Sequence, residues 1–367
     1  MRQFIPKLVL IIFVEMDKKI VIIGAGLSGL YLGYQLKKLG FSIKILEASD
    51  RIGGRIFTKT IHNTNVELGA TWLWKYNKEL LTLCKELKIT LFEQNMIGDA
   101  LFEAMSANLP QRFKMPQNQE ISYRIAGGTS TILNKLAANL SSKELENNQK
   151  VISINETHNS IEVITENSVF IADLLVSTMP PHLLVNSIDF SSELNPELLQ
   201  IANNTHTWMK DSIKFAVIYT TPFWKEKGLS GVGFSNVGPF TELYDHSDAD
   251  NKTFALMGFL NSGLVTENKD YREQLVINQL AKFFGIDGVN YLSYEEKVWS
   301  KETLINADPS DYLSPHANNG HLIYQNHYFK GKFIVAGSET SPSYGGYMEG
   351  AIHRGNQIVS QLKDKFL

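Results

Sequence analysis

The sequence predicts an α/β protein: a Rossmann-type parallel sheet with a mixed-sheet α+β domain inserted between its strands. Two stretches at opposite ends of the chain carry that prediction. Lys19-Ile-Val-Ile-Ile23 is a continuous apolar run stopped by glycine, as a strand buried on both faces should be. It leads into Gly24-Ala-Gly26-Leu27-Ser28-Gly29, a helix predicted over Leu27–Leu39 with Gly40 as its stop, and a second strand, Ser42-Ile-Lys-Ile-Leu46. More than three hundred residues later, the strand Phe333–Ala336 runs into the glycine-rich segment Gly337–Tyr347 and a final helix from Met348 to Leu362. Halves of one site lying so far apart require a second domain between them.

Between these ends the elements follow in order. Glu79–Leu87 and Thr129–Leu140 have the apolar spacing of amphipathic helices, the second with Thr129 or Ser130 as N-cap. Ser160–Ile164 and Val169–Ala172 form a hairpin leading into the strand Leu174–Ser177, and strands recur at Ile213–Tyr219 and Thr253–Leu260. Tyr271–Phe284 is a helix closed by Gly285. No repeat or low-complexity linker interrupts the chain. The expected division assigns residues 17–92, 125–203 and 302–367 to one domain, and 93–124 and 204–301 to the other.

Composition narrows the functional classes. The 367 residues are 43% hydrophobic and 20% charged, enough for a folded protein with a large core. A net charge of −3 without a basic cluster argues against nucleic acid as a partner. No metal-ligating cluster is read. The single cysteine, Cys84, shares a helical face with Leu80, Leu83 and Leu87, which makes it a buried structural thiol and suits a cytoplasmic location. Leu8–Val14 is too short to span a bilayer and lacks a following cleavage site. Translation is expected to begin at Met16, leaving residues 1–15 as a mis-assigned or disordered leader. No membrane association is expected.

The first glycine segment has the chemistry of a dinucleotide site. Gly24 permits a tight turn, Gly26 lets pyrophosphate approach the backbone, and Gly29 allows close packing. The helix that follows offers unpaired N–H groups to the phosphates, and Glu47-Ala48 ends the second strand where an acid binds ribose hydroxyls. Arg51-Ile-Gly-Gly54-Arg55 then resembles the second glycine motif of the glutathione-reductase-like FAD proteins, which selects FAD over NAD. Surface ion pairing is the plainer use of these arginines.

Further motifs resemble those of the flavin-containing amine oxidases, which include monoamine and polyamine oxidases and L-amino-acid oxidase relatives. Val66-Glu-Leu-Gly69-Ala70-Thr71-Trp72 is similar to the family's segment beneath the isoalloxazine ring. Ala126-Gly-Gly128, Ser177-Thr-Met-Pro-Pro181, and Lys150-Val151 beside the adenine also have counterparts. Tyr294–Trp299 and Gly337-Ser338-Glu339 through Tyr347-Met348 to Ala351 match closely. The resemblance implies that Lys214 bonds through water to flavin N5, that Tyr347 flanks the substrate amine, and that Trp299 packs near the lysine and the flavin. Gly337, Ser338 and Met348 would supply backbone contacts, and Glu349 is read as serving the start of its own helix. Each role has a bland alternative: Lys214 snorkelling from a strand end, Tyr347 in ordinary packing, Trp299 in the core.

The sequence departs from that family in three places. Asp308 stands where monoamine oxidases carry the cysteine that binds flavin, so FAD is expected to be non-covalent. The region lacks the family's Gly-Gly-Cys-Tyr, leaving Tyr312 as a weak candidate for the second aromatic wall. The segment from residue 93 to Arg124 is short, implying an open site, a small lid, or help from a partner chain such as a second copy. The implied reaction oxidises an amine at its α-carbon to an imine, with dioxygen as acceptor and hydrogen peroxide as product. A desaturase-like FAD oxidoreductase and a flavin-binding protein without turnover are the rival readings. None of the nine histidines stands out.

Overall fold

The computed structural model describes residues 16–116, 118, 120–305 and 313–366, so the leader 1–15, Asp308 and Tyr312 lie outside the described residues. Its centre is a six-stranded sheet assembled from distant parts of the chain. The strand Met16–Ile23 pairs in parallel with Phe41–Leu46 on one side and Leu174–Ser177 on the other. Leu174–Ser177 pairs in turn with Phe333–Val335, also in parallel. Leu145–Glu146 and His327–Tyr328 complete the two edges.

Period-two alternation in the first strand divides the core. Ile20 and Ile22 face the helices Leu27–Lys38 and Met348–Phe366, where Leu30, Leu36, Ile352 and Ile358 cover them. Val21 and Ile23 face the opposite way, onto Ile154, Val163 and Leu198. That second layer includes a four-stranded sheet ordered Val169–Ala172, Ile161–Thr165, Val151–Glu156, Asp189–Phe190. This is the doubly covered sheet expected from the continuous apolar run.

A seven-stranded sheet forms the other large layer, ordered Ser293–Val298, Ile213–Tyr219, Phe254–Leu260, Phe240–Asp245, Leu229–Ser235, Asp99–Glu103 and Gln111–Lys114. The odd positions of Ile213–Tyr219 pack with Val276, Leu280 and Phe283, the last three from the helix Lys269–Phe284. Ala216 and Ile218 turn the other way, onto Val66 and Leu68. Lys214 belongs to this second face, pointing at the Gly69–Thr71 segment. Among its described residues the short 93–124 stretch forms no helix: it supplies the hairpin Asp99–Glu103/Gln111–Lys114 at the edge of this sheet.

Candidate active site

One cavity of about 980 Å³ links the two ends of the chain. Its nucleotide end is lined by Gly24, Gly26, Leu27, Ser28, Glu47, Ala48 and Val151. Gly24 takes φ +97°, a left-handed conformation that turns the chain from strand to helix. No side chain caps the helix Leu27–Lys38 at Gly26, so its first N–H groups are left for a ligand. A Cβ added at Gly26 would meet only the Gly53 carbonyl, at 4.0 Å, and would otherwise fill the space where phosphates belong. Gly29 is tighter: its added Cβ would lie 1.9 Å from the Gly24 carbonyl, so the glycine closes the turn itself. Glu47 accepts from the Ala25 and Ser49 N–H groups at 2.7 and 3.0 Å, which fixes its carboxylate at the strand end.

Arg51 and Arg55 hold the second glycine segment. Arg51 donates to the carbonyls of Ile52 and Gly54 and covers the Phe57 ring, 4.9 Å from its centroid. Arg55 reaches across the fold to Glu339 (2.5 Å), the Ser338 hydroxyl (2.9 Å) and the Trp208 carbonyl (3.1 Å). Both guanidinium groups are committed to the protein, and the surface pairing considered for them does not occur.

At the far end lie Gly69, Ala70, Thr71, Trp72, Lys214, Ser338, Tyr347 and Met348, all on the same cavity. Lys214 is 1% exposed. Its Nζ donates to the Gly69 carbonyl at 2.7 Å and to the Thr71 hydroxyl, with the Trp72 and Phe259 rings 5.0 and 5.4 Å away. It does not snorkel. Burial pushes its pKa down to about 7, against the opposing pull of Glu67.

Tyr347, 40% exposed, stands at the mouth of the cavity, where it forms a cluster absent from the sequence reading. His316 stacks on it at 5.1 Å between centroids, with Nε2 3.2 Å from the phenol oxygen. The Trp208 indole stacks on His316 at 4.6 Å and lies 5.4 Å from Tyr347. A second stack, Trp74–Tyr76–Tyr344, lines the same cavity with spacings of 5.8 Å. Aromatic side chains therefore flank the mouth without Tyr312. Loops present Trp208 and His316, and no local periodicity marks them.

Three sequence assignments need correction. Trp299 does not line the cavity: it is fully buried, with its indole N–H on the Leu68 carbonyl at 2.8 Å. Its strand ends at Val298, and the turn beyond folds the ring beneath the Gly69 segment. Gly337 is likewise not part of the cavity wall, though its neighbour Ser338 is. Glu349 serves a helix other than its own. Its carboxylate accepts from the Glu79 and Leu80 N–H groups at 3.0 and 2.9 Å, capping Lys78–Glu86. The Ser130–Ala137 helix is capped similarly from a distance, by Glu67 on the Thr129 N–H at 2.6 Å.

Fold and site together define a dinucleotide-binding redox protein whose cavity brings nucleotide-end glycines and a buried lysine into one space. Comparison with known proteins places it more closely. Residues 91–362 match the family model described as flavin containing amine oxidoreductase, and residues 22–87 match the NAD(P)-binding Rossmann-like domain. The chain belongs to the flavin-containing amine oxidoreductase family. It is 24% identical to a Dictyostelium discoideum protein named "Probable flavin-containing monoamine oxidase A", over 95% of this chain and 98% of that one. It is 21% identical to the L-amino acid dehydrogenase of Synechocystis, over 93% and 94% of the two chains. Among solved structures, putrescine oxidase superposes with a TM-score of 0.82 at 19% identity, covering 95% of this chain and 99% of that one. Cyclohexylamine oxidase from Brevibacterium oxydans does so with 0.83 at 18%, over the same shares. These likenesses bear out the fold class, the FAD cofactor and the amine-oxidising enzyme class.

Proposed function

We propose that the protein oxidises a primary or secondary amine at its α-carbon, with FAD held non-covalently along the cavity and dioxygen as the acceptor. The observation that carries this reading is Lys214: a lysine withdrawn from water, on the wall of the cavity that Tyr347 closes. Residues 17–92, 125–203 and 302–367 are assigned to the cofactor, and 93–124 and 204–301 to the substrate.

Each part of the cavity has a task in that reading. The Gly26–Gly29 turn and the helix start receive the pyrophosphate, Glu47 the ribose, and Val151 packs at the adenine end. Bound there, FAD supplies the two-electron chemistry that turns an amine into an imine and returns the electrons to dioxygen as hydrogen peroxide. Tyr347, steadied by His316 and Trp208, presents an aromatic face to the amine and restricts its approach. Lys214, donating to Gly69 and Thr71, holds the wall in place and keeps a proton at Nζ that burial makes easy to release.

An amine suits this cavity better than an amino acid. A carboxylate substrate needs a free cationic partner. Of the cations on the cavity among the described residues, Arg51, Arg55 and Lys214 are engaged by protein oxygens, and Lys150 pairs with Glu166 at 3.7 Å. The relatives' names include a monoamine oxidase, a putrescine oxidase and a cyclohexylamine oxidase as well as an L-amino acid dehydrogenase, so the choice rests on the cavity's cations.

No helix among the described residues is long and apolar enough to cross a membrane. We place the protein in the cytoplasm, a reading supported by the lone buried Cys84 thiol. The deciding experiment mixes purified yellow protein anaerobically with a panel of amines and amino acids, followed by air and a peroxide assay. Amine bleaching with peroxide release is expected. A flavin that no amine bleaches would leave a binding protein without turnover, and bleaching without peroxide a different acceptor. Acid precipitation should free the flavin into the supernatant, and light scattering tests for a homodimer.

A further inference from the structure

An amine arrives as an ammonium ion, which holds its proton up to about pH 10, and it must lose that proton before its α-carbon can be oxidised. The carboxylates on the cavity among the described residues are committed elsewhere. Glu302 pairs with Lys297, and Glu349 caps the helix Lys78–Glu86. Glu47 is held by two N–H groups at the nucleotide end, where Asp50 follows it. The mouth offers another route. Tyr347 lines the cavity, whereas half-buried His316 is not part of its wall and lies against Tyr347, with Nε2 3.2 Å from the phenol oxygen.

The glycine pair of the C-terminal run makes this contact possible. A Cβ at Gly345 would lie 2.7 Å from the Asn319 Cβ. One at Gly346, where φ is +87°, would lie 3.0 Å from the Trp208 Cβ and 3.2 Å from Asn319 Nδ2. His316 itself takes φ +61°, an uncommon conformation for a residue with a side chain. The Asn319 amide lies 3.2 Å from His316 Nδ1. With its nitrogen on that ring atom, the Asn319 oxygen is buried without a donor among the described residues. Turned over, the amide accepts the Nδ1 proton and leaves Nε2 bare to accept from the Tyr347 hydroxyl.

We propose that Tyr347 and His316 form a proton exit for the bound ammonium. One ammonium proton passes to the phenol oxygen as the phenol proton passes to His316 Nε2, and the imidazolium then gives one proton to water. Only N–H and O–H bonds change, and both residues end as they began. The inference rests on the amine-oxidising reading and adds to it the group that takes the proton. Burial raises the Tyr347 pKa, so the phenol keeps a proton to hand on at neutral pH.

The groups facing His316 leave it free for this task. His206 Nδ1 accepts from the His316 backbone N–H at 3.3 Å, and its pKa is lowered first by burial and then by Lys210, against the pull of Asp211 and Glu339. Glu339 is held by Arg55, and Trp208 stacks on the His316 ring. On its own loop, His321 accepts from the Ile323 N–H at 3.2 Å, and on the glycine run Tyr344 stacks on Tyr76.

Two measurements test the exit. The first is the nitrogen spectrum of histidine-labelled holoenzyme, with His316 assigned by its loss in His316→Phe or its shift in Tyr347→Phe. The neutral ring should carry its proton on Nδ1; a proton on Nε2 would overturn the proposal without any turnover assay. The second follows anaerobic bleaching by an amine from the panel in wild type, His316→Phe, Tyr347→Phe, the double variant and Lys214→Met. At about pH 7.5 each ring variant should be slower by about threefold, water at the open mouth taking over part of the task, and the double variant no slower than either. By about pH 9.5, where much of the amine arrives as free base, the ring variants should match wild type. A merely structural loss would persist at every pH and refute the exit, as would a convergence shown by Lys214→Met instead. Protein that no amine bleaches would sink the amine reading and the exit with it, whereas bleaching with a uniform loss sinks the exit alone.

Discussion

The Arg55 guanidinium meets the Glu339 carboxylate at 2.5 Å, joining segments 284 residues apart in the chain. Glu339 is fully buried, and the same guanidinium also takes the Ser338 hydroxyl and the Trp208 carbonyl. One side chain therefore ties together the second glycine segment, the C-terminal glycine run and the loop that carries the mouth's indole.

Arg55→Ala leaves the Glu339 carboxylate buried without its cation. We expect a loss of about 3 kcal/mol in unfolding free energy, and flavin that washes out on gel filtration. Denaturant unfolding followed by flavin absorbance checks both. Unchanged stability would mean that the pair is incidental.

Lys214→Met should keep the cofactor and slow its reoxidation by air by about tenfold or more. It should also flatten the dependence of stability on pH. Lys214 has a folded pKa of about 7 against an ordinary 10.5, so between these values the unfolded chain holds more protons. Wild-type stability should rise with pH across that window and be least favoured below it. Melting temperatures of the two proteins compared across the window give the sign directly; a parallel pair of curves would exclude a displaced Lys214 pKa.

Tyr347→Ala removes the aromatic face at the mouth, and kcat/KM for the amine should fall by about tenfold with flavin binding intact. His316→Ala, which removes the ring stacked on Tyr347, should cost less, about threefold. Stopped-flow bleaching at several amine concentrations separates binding from chemistry. Equal rates for all three proteins would remove the cluster from substrate handling.

Trp299→Phe tests the correction made to that residue. Losing the indole bond to the Leu68 carbonyl should cost about 1–2 kcal/mol in stability and leave kcat within about twofold. A large fall in kcat at unchanged stability would return Trp299 to the reacting centre.

The nucleotide end was legible because its meaning is local. Gly24, Gly26, Gly29 and Glu47 act through a turn, a helix start and a strand end built from neighbouring residues, and the structure places them as the spacing implied. The strands Ile213–Tyr219 and Leu174–Ser177 were equally plain, since burial on both faces leaves a continuous apolar run. Lys214 stood out because it interrupts such a run. The 93–124 hairpin was missed, its mixed polarity on an exposed sheet edge offering neither period. Glu349 misled for another reason: it belongs to a cap whose other half comes from a distant segment.

By itself, then, the order of residues determined the layered α/β architecture, the dinucleotide turn and a lysine withdrawn from water, because short-range backbone geometry and burial periodicity write themselves into adjacent positions. Only the tertiary structure decided what surrounds that lysine, which rings guard the mouth and which tryptophan is mere core. Those outcomes depend on side chains more than a hundred residues apart meeting in a low-dielectric interior, and no spacing along the chain encodes such a meeting.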